Sequence, residues 1–183
     1  MIIVGLDMAT QTGVCYGRPD TTPHAESVRA PVTGKDLGEF GSFYWRYFNQ
    51  LFDRLAQRLQ PGETITVCYE APILPGQTNL STTRKLHGLG VLLETAIRLH
   101  PAPISVYECH LSSIKKELTG KGGADKGMMV LAARRAGIDL PQGSEAMDAA
   151  DAFAAWLIAV RLCTPEHQRL WDQRIWGGKV WKN

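Results

Sequence analysis

The sequence predicts an α/β domain, a mixed sheet whose antiparallel meander leads and whose later strands are parallel crossovers, with helices packed against it. Three observations carry this prediction. The chain opens on short apolar and β-branched runs separated by a turn signal. Two further runs, Thr64 to Glu70 and Ile104 to Tyr107, are each followed by a helical stretch, and an Ala-rich helical stretch comes last. At 183 residues and 20.2 kDa the chain has room for one core and a tail, but not for two cores. With 44% apolar residues it can bury roughly 70% of its unfolded surface, so folding needs neither disulfide nor metal.

In order, Ile2 to Met8 reads as a buried strand, Gln11-Thr12-Gly13 as a turn, Val14 to Tyr16 as the hairpin partner and Ser27 to Val32 as a third strand. From Gly38 to Leu59, Phe40, Tyr44, Phe48, Leu51 and Leu55 recur at helical spacing until Pro61-Gly62, a core-facing pattern rather than an aromatic binding stripe. Thr64 to Glu70 is a strand closed by Ala71-Pro72. Asn79 to Leu99 is a helix that is polar at its start and later apolar on more than one face, as a doubly buried helix would be. Ile104 to Tyr107 is a short strand, Leu111 to Leu118 a helix, and Asp125 caps a further helix to Ala136. Met147 to Leu162 is the last, Ala-rich helix, and the order is βββαβαβα with further helices.

Composition excludes several classes. Twenty Lys and Arg against 18 Asp and Glu leave a net charge of +2, so attraction to a polyanion must come from clustering. Cys15, Cys68, Cys109 and Cys163 are widely spaced in apolar runs, which fits reduced core thiols and neither zinc nor redox pairs. No basic leader precedes Ile2-Ile3-Val4, and no apolar run approaches the length of a membrane span, so the expectation is a soluble, cytoplasmic protein. His24, His87, His100, His110 and His167 form no ligand cluster.

Four carboxylates stand out. Asp7 lies in the apolar run Ile2 to Met8, where an ionised side chain is costly unless paired or coordinated. By itself Asp7 also suits a turn cap for the bend at Gln11 to Gly13. Glu70 ends the strand Val67-Cys68-Tyr69-Glu70, where a solvated strand-end charge is the bland alternative. Asp148 and Asp151 stand three apart and share one helix face, although acids near a helix start also complement the dipole. Two strand acids and two helix acids supply hard oxygen ligands without His or Cys, which suits Mg²⁺, or Mn²⁺ in its place. Around two such ions, four acids can activate water and stabilise both the attacking and leaving oxygens of phosphodiester hydrolysis.

The segments Gly5-Leu6-Asp7-Met8-Ala9-Thr10-Gln11-Thr12-Gly13, Tyr69-Glu70-Ala71-Pro72, Leu118-Thr119-Gly120-Lys121-Gly122-Gly123-Ala124-Asp125-Lys126 and Asp148-Ala149-Ala150-Asp151-Ala152 resemble the successive blocks of RuvC-type Holliday junction resolvases. The resemblance spans Ile2 to about Leu162 and is most specific in the last two blocks. It implies a ribonuclease H-like mixed five-stranded sheet flanked by helices, over residues 1–163. It further implies a homodimer and Mg²⁺-dependent symmetrical nicking of four-way DNA junctions, the activity of a crossover junction endodeoxyribonuclease. Carried over, the metal-binding catalytic acids are Asp7, Glu70, Asp148 and Asp151, holding two ions. Lys126 falls near the scissile phosphate, Lys115 contacts the DNA backbone, and the helix Asn79 to Leu99 is similar to the family's dimer helix. The stretch Ala71-Pro72-Ile73-Leu74-Pro75 departs from the family by lacking the aromatic that enters the junction centre, which fits a divergent, phage-type member acting on several branched DNAs.

Positive charge is concentrated where the average is not. Between Ser112 and Arg135 six basic residues, Lys115, Lys116, Lys121, Lys126, Arg134 and Arg135, face two acids, a candidate phosphate track. Lys85, just after the catalytic strand end, suits a further backbone contact or a solvated helix face. In the tail, residues 164–183, Trp171, Trp176 and Trp181 alternate with Arg169, Arg174, Lys179 and Lys182. Such residues can stack on unpaired bases, but their five-residue spacing favours a tail folded back over apolar surface. Two alternatives compete with junction cleavage: a broader fork and flap debranching nuclease, and a non-catalytic nucleic-acid-binding module. The first block is also similar to the opening phosphate segment of actin-like kinases, whose second domain this chain is too short to hold.

Overall fold

The computed structural model describes residues 1–31, 36–71 and 80–177. Along them run β1 (Ile2–Asp7), β2 (Gln11–Gly17), β3 (His24–Arg29), α1 (Leu37–Ala56), β4 (Ile65–Glu70), α2 (Leu80–Leu99), β5 (Ile104–Cys109), α3 (Leu111–Thr119), α4 (Lys126–Arg135), α5 (Glu145–Cys163) and α6 (Pro165–Trp176). The five strands form one sheet in the order β3-β2-β1-β4-β5. The first three are an antiparallel meander, whereas β1, β4 and β5 are parallel neighbours. Parallel neighbours need long crossovers, which α1 and α2 provide. This is the mixed five-stranded sheet flanked by helices that the sequence predicts.

Strand alternation sorts the side chains onto two cores. Ile2, Val4, Leu6, Ile65, Val67 and Tyr69 pack with Phe40, Tyr44, Phe48, Leu51, Leu89 and Leu93 of α1 and α2. Ile3, Cys15, Ala25 and Cys68 point to the other face, beneath α5. Helix α5 is buried nearly all round, with Ala149, Ala150, Phe153 and Trp156 fully enclosed. Its small residues let it lie against the sheet, and two glycines complete the approach. A Cβ on Gly5 would sit 2.2 Å from the Ala152 carbonyl oxygen, and one on Gly13 would sit 1.9 Å from that of Asp148.

Three boundaries differ from the sequence reading. The β1–β2 turn falls at Met8 to Thr10, not at Gln11 to Gly13, because Gln11, Thr12 and Gly13 pair in the ladder and the Thr12 hydroxyl donates to the Ala9 carbonyl at 3.0 Å. Asp7, paired with Gly13, is therefore not the cap of a bend there. Strand β3 starts at His24 rather than Ser27, since β2 offers partners as far as Tyr16. Thirdly, Pro165–Trp176 is a helix, with Trp171 1% exposed. The Trp171 indole N–H donates to the Pro19 carbonyl at 2.7 Å, and the ring meets Trp156 edge-on at 5.0 Å. Lys179, Trp181 and Lys182, the start of the second helix at Asn79, the end of the third strand at Val32, and the stretch Pro72 to Pro75 lie outside the described residues. The four cysteines are unpaired, Cys68 and Cys109 with their sulfurs 3.4 Å apart in the interior. Among the described residues no helix is long and apolar enough to cross a membrane.

Candidate active site

Alternation and register bring the carboxylates together. Asp7 ends β1 on the side of Ile3, and Glu70 ends β4 on the side of Cys68, so both lie on the face covered by α5. Leu6 is opposite Tyr69 in the parallel pair, which sets Asp7 beside Glu70 at the same sheet edge. From above, the first two turns of α5 bring Asp148 and Asp151 down onto this edge, over the bare backbone of Gly13.

The charges register one another. The carboxyl of Asp7 is held well above its ordinary value, chiefly by burial and then by Glu70, Asp151 and Asp148, with Lys126 opposing. Glu70 is pushed up to about 7, first by burial and then by Asp151, against Lys115, Lys126 and a hydrogen bond with Asp7. Burial also lifts Asp151 to about 6, opposed by Lys126 and Lys115. Asp148 is raised by burial and lowered by Lys126 and by a hydrogen bond from Ser27. Buried acids that disfavour one another's ionisation are an arrangement that a cation would relieve.

Lys126 opens α4 behind Asp125, whose carboxylate accepts from the Met128 N–H at 2.8 Å. Its ammonium stands 3.9 Å from Asp148 Oδ1, so the anion offsetting this cation at a helix start is Asp148 rather than Asp125 or Glu117. Glu117 is engaged elsewhere, at 2.9 Å from Arg161. Lys115 on α3 is half-buried and acts on Glu70 and Asp151, and Lys121 is exposed beyond the end of α3. Lys85 differs from the sequence reading: it is 7% exposed, with its ammonium 5.2 Å from the Phe40 ring centre between α2 and α1. Enclosed there, it is not offered to a phosphate backbone.

The donor chemistry of the four acids fits a hard divalent ion: all ligands are oxygens, and Asp151 Oδ1 is buried without a hydrogen-bond partner. As they stand, no group of three or more His, Cys, Asp or Glu side chains among the described residues forms a ready-made metal site. Sequence reasoning passed over Ser27, whose hydroxyl reaches Asp148 Oδ2 at 3.4 Å, and Gln11, whose amide nitrogen reaches Ser27 Oγ at 3.0 Å. The available signal was their period-2 placement on the α5 face with Gly13.

No protein-family model matches the chain, and no curated protein matches it. Solved structures do. A Thermus thermophilus RuvC structure superposes with a TM-score of 0.62 at 20% identity, over 90% of this chain and 98% of that one. T. thermophilus RuvC in complex with a Holliday junction substrate gives 0.61 at 16% identity, over 90% and 97%. The yeast mitochondrial Holliday junction resolvase Ydc2 gives 0.54 at 12% identity, over 94% and 79%. The chain therefore has the ribonuclease H-like fold in the form taken by RuvC-type resolvases.

Proposed function

We propose that the protein is a metal-dependent endonuclease that nicks branched DNA, above all four-way junctions, symmetrically as a homodimer. The observation that carries this reading is the convergence of Asp7, Glu70, Asp148 and Asp151, each with its pKa raised, at one sheet edge within a RuvC-like fold. Asp7, Glu70, Asp148 and Asp151 would hold two Mg²⁺, or Mn²⁺ in their place. When bound, such ions supply an activated water and charge neutralisation at the scissile phosphate. The chain's own groups do the rest. Lys126 would meet the scissile phosphate, a role supported by its 59% exposed side chain and its place next to Asp148. Lys115 and Lys121 extend the positive track along the backbone, where each phosphate contact adds salt-dependent affinity. Residues 1–163 would make up the nuclease domain, against which α6 packs through Trp171.

The dimer reading draws on α2. The support is the resemblance of this helix to the family's dimer helix, on whose outer face Val91 is 66% exposed.

The test is cleavage of an end-labelled four-way junction, with a fork, a flap and a linear duplex as controls, in Mg²⁺ and in EDTA. Paired nicks on the junction that require metal are expected. Asp7→Asn should slow them by about a thousandfold or more while leaving junction binding intact or tighter, since a phosphate-repelling charge is gone. Wild-type cutting rates in Asp7→Asn would overturn the assignment. Metal-dependent cutting of every branched substrate would replace resolution by general debranching, and binding without cutting would leave a nucleic-acid-binding module.

A further inference from the structure

Three strands of backbone set up a polar relay beside the carboxylates. Asp7, Gly13 and Ser27 lie in one row across β1, β2 and β3, paired Asp7 to Gly13 and Gly13 to Ser27. The middle position has no side chain, and the backbone of Asp148 occupies its place. Asp148 is thus lowered between Asp7 on one side and Ser27 on the other. Its two oxygens face different partners: Oδ1 is 3.9 Å from the Lys126 ammonium, and Oδ2 is 3.4 Å from Ser27 Oγ.

A serine hydroxyl can donate one hydrogen bond and can point it either way. Here the direction is set from behind. The amide nitrogen of Gln11 donates to Ser27 Oγ at 3.0 Å, so the hydroxyl proton cannot point toward Gln11 and is left for Asp148. Gln11 is held in turn by its place in the ladder opposite Arg29. The chain of donors runs Gln11 to Ser27 to Asp148, each carried by a different element. At 3.4 Å the last link is loose, and such contacts tighten when a site fills.

We propose that Ser27 is a positioning residue for Asp148 and that Gln11 makes it one, by turning the Ser27 hydroxyl toward Oδ2 and so fixing the plane in which the carboxylate meets a divalent ion. This rests on the nuclease reading for its consequence in cleavage, though not for the geometry. Partners that orient a ligating carboxylate affect metal affinity and turnover by about 10- to 100-fold when removed.

The full chain is assayed in three ways: junction cleavage at saturating DNA in Mg²⁺, junction affinity in EDTA, and Mn²⁺ binding by the DNA-free protein, read from the EPR signal of the free ion. Ser27→Ala is expected to lower kcat and Mn²⁺ affinity about tenfold each, with KM and junction affinity unchanged. Ser27→Thr, which keeps the hydroxyl on a β-compatible side chain, should restore both. Gln11→Glu replaces the donor by an acceptor, so the hydroxyl turns away from Asp148 and kcat falls. Combined with Ser27→Ala, Gln11→Glu should add nothing, because its effect passes through the hydroxyl.

Wild-type kcat and Mn²⁺ affinity in Ser27→Ala would overturn the proposal, as would losses in Ser27→Ala and Gln11→Glu that simply add, or no recovery in Ser27→Thr. Should Ser27→Ala not fold, Gln11→Glu alone decides, since it removes no hydroxyl from the core face. If the wild type leaves every branched DNA uncut, the nuclease reading fails, and the Mn²⁺ arm still decides: a tenfold loss upholds the positioning role and equal affinity refutes it.

Discussion

Glu70 and Asp151 keep their protons to about 7 and about 6, against ordinary values of 4.5 and 3.8. Between those limits these two groups bind more protons in the folded chain than in the unfolded one, so the stability they contribute is full below about pH 4 and is lost as pH rises toward 7. In EDTA the melting temperature should therefore drop from pH 5 to pH 7.5, and Mg²⁺ should flatten that slope by competing with the protons. Asp7→Asn should raise the metal-free melting temperature at pH 7.5 by about 3 °C, the shift made by roughly 1 kcal/mol in a chain of this size. A flat profile in EDTA would mean that the acids do not destabilise one another. The acids were legible in the sequence because each interrupts an apolar run or doubles on a helix face. Ser27 was not, since its role arises only when β3 pairs with β2 and α5 descends on Gly13. Nor was the enclosure of Lys85, because a lysine early in a polar helical stretch looks solvated until Phe40 of another helix comes beneath it.

At the scale of elements, the contact of α5 with the sheet decides both folding and site. Gly13→Ala would drive a methyl to 1.9 Å from the Asp148 carbonyl, lifting the very turn that bears the acids. We expect a loss of at least about 3 kcal/mol in urea unfolding, beyond the usual cost of overpacking because the obstacle is backbone. Gly88→Ala in α2, where nothing lies within 4 Å, is the control and should stabilise by about 0.5–1 kcal/mol. Periodicity revealed α1, whose buried residues repeat at helical spacing, while α5, buried nearly all round, was legible from its alanine content. It hid α6, whose single buried tryptophan is anchored by Trp156 and by the carbonyl of Pro19, partners remote in sequence. The short strands shifted by up to three residues because pairing, not local propensity, sets where a meander strand begins.

On the scale of the whole molecule, the proposed homodimer predicts a particle of twice 20.2 kDa. Light scattering coupled to size exclusion should find that mass, and Val91→Glu should halve it without unfolding the chain. A wild-type monomer at micromolar concentration would instead argue for independent nicking of the two strands. The sheet order and its flanking layers could be read from the alternation of strand and helix, whereas the proposed dimer role of α2 rested on resemblance and on a helical stretch apolar over more than one face. Asp7 lies near one end of the sequence and Asp151 near the other, and the helix that joins them over the sheet is also the centre of a core. A growing or clipped polypeptide that lacks α5 has neither its fold nor a complete set of acids. If the acids are those of a nuclease, as proposed, its activity would begin only once α5 has been made and would end when α5 unfolds, so quality control of the chain would also be quality control of its chemistry.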